Sequence, residues 1–78
     1  MTEREEFIFS KIKDARPRVL RMEDEKYDTR FFVLYNDEEI NFVFAKDDYI
    51  LPLVITLKDF LSIYSDDEIL AAILKAVL

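Results

Sequence analysis

The chain has 78 residues, a formal net charge of −6, and no Gly, Cys, His or Trp. Without Gly, phosphate-cradling loops of the dinucleotide or P-loop kind are excluded, because their backbone needs positive φ and close approach to the ligand. Without Cys or His, Cys/His zinc sites, thiol nucleophiles, Ser-His-Asp triads and most haem ligation lose their essential members, so only carboxylate chemistry or a non-catalytic role is left and no cofactor is expected.

The first element is a helix over about residues 3–14, opened by Thr2 with Glu5 three positions on and closed before Arg16-Pro17, since a residue preceding proline avoids the α region. Ile8, Ile12 and Ala15 share its apolar stripe. Phe7 and Phe9 flank that stripe and widen it, so the helix sits deep in a sheet groove or leaves one ring exposed.

From Arg18 the period changes to two: Leu20 and Met22 alternate with Val19, Arg21 and Glu23, a first strand that ends in the polar run Glu23-Asp24-Glu25-Lys26. Thr29 to Tyr35 and Ile40 to Lys46 form a hairpin around Asn36-Asp37-Glu38-Glu39, a four-residue loop that suits a type I turn and needs no glycine. Parity pairs Tyr35 with Ile40, Val33 with Phe42 and Phe31 with Phe44, gathering one apolar face as core. A second connection at Lys46-Asp47-Asp48-Tyr49 leads to a strand over about 49–55, pairing Ala45 with Ile50, Phe44 with Leu51 and Phe42 with Leu53. Pro52 cannot donate to a ladder, which makes this an edge or broken strand; the alternative reading starts a helix near Pro52.

Thr56 with Asp59 and Ser65 with Glu68 repeat the helix-start signature, the Asp-bearing one being the weaker, and place short helices near 57–64 and 66–77. The expected fold is therefore a single small α+β domain over 1–78: an N-terminal helix, a three- to four-stranded antiparallel meander and two C-terminal helices.

The sheet face opposite the core should be polar in a two-layer domain. Instead, parity gives it Phe32, Leu34, Val43, Ala45, Ile50, Pro52 and Val54, relieved by Arg30, Asn36, Glu39 and Asn41. Three covers are open: helices on both sides of the sheet, a homodimer, or a different protein. The last helix poses the same question. Ile69, Ile73 and Val77 make one apolar face, and Leu70, Leu74 and Leu78 a second about 100° away, so it is buried on several sides or docks on something.

Residues 1–30 carry eight basic and eight acidic side chains, and residues 31–78 three and nine, so the whole excess of negative charge is C-terminal. Lys11, Lys13, Arg16, Arg18 and Arg21 form a cationic run, but overall acidity argues against nucleic acid, and the run is read as pairing with Glu5, Glu6, Glu23 or Glu25. The carboxylate clusters Asp37-Glu38-Glu39, Asp47-Asp48 and Asp66-Asp67-Glu68 fall at turns or helix starts, where exposed amides favour them structurally, so no catalytic residue is assigned. The charged N-terminus is unlike a signal peptide, and the longest apolar stretches fall short of the ~20 residues of a spanning helix, pointing to a cytoplasmic or recombinant soluble chain with no membrane role.

With three boxed helix starts, charged turns, no internal repeat and an Ala/Ile/Leu-rich stretch from Ser65 to Leu78, the chain resembles a computationally designed mini-protein binder. It departs from such designs in closing no helix with Gly and in the apolar outer sheet face, the second of which an intended interface requires. The resemblance implies occlusion of another protein's surface, with Phe32, Leu34, Val43, Ile50 and Val54 as anchors, Arg30 and Asn41 as polar contacts, and Leu70, Leu74 and Leu78 as second choice. Two alternatives stand beside it: a natural small acidic regulator, such as a phage-type inhibitor or immunity protein that covers a basic enzyme site through carboxylates, and a structural homodimer.

Overall fold

A computed structural model of the chain describes residues 1–23, 28–46 and 49–78, without the side chains of Asp28, Lys46 and residues 49–52. The elements run α1 (Glu3–Ala15), β1 (Val19–Glu23), β2 (Asp28–Tyr35), β3 (Ile40–Lys46), β4 (Tyr49–Thr56), α2 (Leu57–Ile63) and α3 (Asp66–Val77). The strands form one antiparallel sheet in sequential order, so the fold is an α+β meander with its helices at the two ends of the chain. The polar run expected after β1 falls partly outside the described residues.

Each helix starts where a hydroxyl side chain meets the first unpaired amides. The Thr56 and Ser65 boxes close in both directions, with the side chain accepting from the amide three residues on and Asp59 or Glu68 reaching back to the cap. The Thr56 box, expected to be the weakest because it uses Asp, is thus as complete as the Ser65 box. At Thr2 the hydroxyl accepts from the Glu5 amide at 3.1 Å and donates to the Glu5 carboxylate at 3.2 Å.

The end of α1 shows how a chain without glycine solves a problem usually left to one. Arg16 takes the left-handed conformation (φ 47°, ψ 52°) and its amide donates to the Ile12 carbonyl at 2.7 Å, as a C-terminal glycine would. Its guanidinium lies 4.5 Å from the Tyr35 ring centroid, and the Tyr35 hydroxyl donates to the Pro17 carbonyl at 2.6 Å. The left-handed backbone of a non-glycine residue is costly, and these contacts hold the turn from both sides. Burial raises the Tyr35 hydroxyl's pKa above its usual value, against the opposing pull of the Arg16 charge.

Hairpin register follows the parity argument: Tyr35 faces Ile40, Val33 faces Phe42 and Phe31 faces Phe44. In the loop, the Asn36 side-chain oxygen accepts from the Glu38 and Glu39 amides at 3.2 and 2.8 Å, so an Asx contact replaces any need for glycine. Between β3 and β4 the expected register is corrected. Ala45 does face Ile50, but beyond an irregularity Val43 faces Val54 and Phe42 faces Ile55, not Leu53. From Ala45 to Val43 the count changes by two while on β4 it runs from 50 to 54, by four, so two additional residues are absorbed around Pro52. Proline within a sheet belongs on an edge or at such a break, and β4 is both; the alternative helix start at Pro52 is not adopted.

All three helices pack on one face of the sheet, contributing to a single core with Leu20, Met22, Phe31, Val33, Ile40 and Phe42. In that layer α3 lies against β1, α2 against β3 and β4, and α1 between its two fellow helices with Ile8 and Ile12 fully buried. Arg4, at the start of α1, ties it to the end of α2 and the start of α3, bonding the Leu61 and Tyr64 carbonyls and Asp66. Phe31 is the aromatic hub, edge-on to Phe42, Phe44, Phe60 and Tyr64, and Phe60 stacks on Phe42 with centroids 4.2 Å apart. The arrangement of helices on both sides of the sheet, one of the three covers considered for the outer face, is therefore not what forms.

Candidate functional site

The outer face is built from the residues that the strand period turns away from this core. The register aligns Val19 with Phe32, Phe32 with Val43, and Val43 with Val54, an apolar row that crosses all four strands. Beside it Leu34 aligns with Asn41 and Asn41 with Thr56; on the other side Arg21 aligns with Arg30, Arg30 with Ala45 and Ala45 with Ile50. Leu34 is 45% exposed and Val54 57% exposed, while Phe32 and Val43 at the centre are partly covered by their neighbours. Among the described residues, Phe32, Val43 and Val54 take no part in the helix-covered core, and Val19 at the edge borders α3.

Six of the predicted contacts, Phe32, Leu34, Val43, Val54, Arg30 and Asn41, thus share one face of one sheet. Ile50 joins them by register, and its side chain, like that of Pro52, lies outside the described residues. Ala45 departs from its expected place in an exposed patch: it is on the right face but only 3% exposed, too small a side chain to rise above its neighbours. Val19 and Arg21 belong to the face as well and were absent from the residues expected there. Their alternation was visible in the sequence, but only the pairing of β1 with β2 places them next to Phe32 and Arg30.

The second-choice residues differ in exposure. Leu70 packs partly against the core, while Leu74 and Leu78 are 59% and 94% exposed. Ile69, Ala72 and Ile73 are the buried face of α3, so Val77, expected on that face, is corrected to an exposed position at its last residue. Of the two flanking rings of α1, Phe7 is the exposed one and Phe9 is half-buried.

The cationic run is corrected too. Lys11 lies 5.4 Å from the Phe7 ring centroid, Lys13 5.1 Å from that of Phe9, and Arg16 sits over Tyr35. The first two are i, i+4 pairings on the surface of α1 and the third reaches across to β2, so three cations of the run face aromatic rings of their own chain. Glu23 takes Lys75 as its partner at 2.6 Å, not a residue of that run, and Glu25 is outside the described residues.

The carboxylates that the structure describes lie at turns, caps or the surface. Asp37, Glu38 and Glu39 are exposed in the hairpin loop, and Asp66 pairs with Arg4. Hydrogen bonds from the Ser65 amide and hydroxyl hold Glu68 below the usual carboxylate range, and Lys75 does the same to Glu23. Among the described residues, no three acidic groups converge as a metal site would require, and no helix is long and apolar enough to cross a membrane. The fold and the face together define a two-layer α+β domain that presents one apolar sheet surface. No family model, no curated protein and no solved structure matches this chain.

Proposed function

We propose that the chain is a non-catalytic protein-binding module, of the kind a designed mini-binder presents, that occludes a partner by burying its outer sheet face. The observation that carries this reading is the row Val19, Phe32, Val43 and Val54, which crosses four strands on the face opposite the helix layer, with Val19 at the edge that borders α3. A sheet face with one side packed on helices and the other in water ordinarily alternates apolar-in with polar-out, and this one does not. Phe32 and Val43 are the central anchors, Leu34 and Val54 extend the patch, and Arg30, Arg21, Asn41 and Thr56 supply a polar rim around the apolar centre.

The test uses Phe32→Asp and Val43→Asp as reporters of the outer face and Leu74→Asp as a control on α3. Far-UV circular dichroism should be unchanged in all three. Partner complexes isolated by crosslinking with the intact chain should be lost in both sheet variants and kept in Leu74→Asp, with little change between low and high salt, because apolar anchors are not screened. Unfolding by Phe32→Asp, or loss of complexes with Leu74→Asp alone, would overturn the reading. Binding that collapses with salt would favour the acidic regulator instead.

A further inference from the structure

The two edges of the sheet are not alike, and β1 is the open one. The Val33 amide donates to the Arg18 carbonyl at 2.9 Å, and the register continues from Val19 opposite Phe32 to Glu23 opposite Asp28 without a shift. Bonded positions alternate along an antiparallel ladder. Arg18, Leu20 and Met22 therefore turn their main-chain groups toward β2, and Val19, Arg21 and Glu23 turn theirs away from the sheet. Those three residues, together with Ala72, Lys75 and Ala76, line a concavity of about 360 Å³ between the edge of β1 and α3. A second concavity of about 170 Å³ continues it to Glu68 and Ala71. The opposite edge, β4, carries Pro52, which has no N–H, and a broken register, both of which blunt an edge against pairing.

We propose that the open edge of β1 pairs antiparallel with β1 of a second copy of this chain, joining two sheets into one of eight strands with the two α3 helices side by side over the seam. An extended main chain is what an open ladder accepts, and charge selects the second copy. Outward-turned residues must oppose outward-turned residues, so a two-fold axis falls on a residue and not between two, and an axis that pairs three or more residues within β1 lies at Leu20, Arg21 or Met22. An axis at Arg21 sets that arginine against its own copy, and an axis at Leu20 sets it against Val19. An axis at Met22 sets Arg21 against Glu23 of the second copy, twice by symmetry, in pairs that also exchange main-chain bonds.

The helix wall has the same symmetry. Glu68, Ala71, Ala72 and Lys75 read as acid, Ala, Ala, base along the side of α3 that lines the concavity, so an antiparallel second α3 brings each Glu68 to the other copy's Lys75. In the single chain Lys75 is bonded to Glu23, and it is released when Glu23 takes Arg21 of the second copy. The alanines let the helices approach closely. Arg21, Met22, Ala71 and Ala72 line one concavity, so the centres of strand and helix symmetry coincide in space. The pairing uses Arg21 at the rim of the outer face and leaves the row of Phe32, Val43 and Val54 open.

The experiment is molar mass by light scattering and sedimentation, from micromolar to millimolar chain, on the intact protein and on Arg21→Glu and Glu23→Arg. Each single variant places like charges opposite one another in both symmetric pairs, and its association should weaken about ten- to hundredfold. An equimolar mixture of the two should associate like the parent, because every opposed pair is again acid against base. Should Glu23→Arg disturb circular dichroism through loss of Lys75, Arg21→Glu carries the readout by itself, with association weakened and circular dichroism as in the parent. A parent chain monomeric throughout, a dimer indifferent to either reversal, or variants that fail to associate when mixed would each overturn the proposal.

Discussion

The inner and outer faces of this sheet carry side chains of similar size, yet their environments differ completely. On the inner face Phe31, Val33 and Phe42 are sealed under three helices; on the outer face Phe32, Leu34 and Val43 alternate with them along the same strands and meet no helix. What separates a core residue from a candidate contact here is therefore not its chemistry but the side on which the chain returns. All three helices return to the same side because Ile8, Ile12, Phe60, Leu61, Ile69 and Ile73 complete one core, with Phe31 at its aromatic centre.

The sharpest way to break that comparison is to remove a ring from each side. Phe60→Ala or Phe42→Ala empties the stacked pair in the core and should cost about 3–5 kcal/mol, enough to unfold much of a small domain. Urea denaturation followed by circular dichroism checks it. Phe32→Ala on the outer face should cost no more than about 1–2 kcal/mol, because the residue is only partly buried and leaves no sealed cavity. If the two losses were equal, the outer face would be covered in solution, and the binding reading would have to identify the cover.

A smaller effect is expected where the faces are joined to α1. Tyr35→Phe removes the hydroxyl that donates to the Pro17 carbonyl while keeping the ring beneath Arg16, so urea denaturation should show a loss of about 0.5–1.5 kcal/mol. Smallest of all is the acid limb. Glu68 and Glu23 both have folded-state pKa values below their unfolded ones, so each contributes stability that is present above the unfolded carboxylate pKa and lost as pH falls through the folded value. Both side chains are exposed. Glu68→Gln or Glu23→Gln should accordingly flatten the fall of the thermal midpoint with acid while leaving the faces untouched.

Much of the local structure was legible because each signal is short-range. The helix starts at Thr2, Thr56 and Ser65 and the hairpin register around Asn36 depend on neighbours a few residues away, and all of them form. The register of β4 was legible only as far as Ile50: Pro52 announced an interruption, but whether it would become a break, a bulge or a helix depended on what β3 offered across the ladder. Of the cationic run, Lys11 and Lys13 lie over rings four residues earlier on α1, a local pairing that the sequence offered beside the carboxylates, whereas only the fold brings Tyr35 of β2 beneath Arg16. The outer face was found by parity alone. Its fourth member, Val19, needed the pairing of β1 with β2.

By itself, then, the sequence determined which residues alternate, where helices begin, and that one sheet face would be apolar on each side of the hairpin, because period and capping are properties of adjacent residues. Only the tertiary structure decided that the second apolar face receives no helix. It put all three helices on one side, left the row from Val19 to Val54 outside, and made β1 the open edge. Those outcomes depend on the order of strands and the direction in which each helix returns, and both are set by packing between residues far apart in the chain.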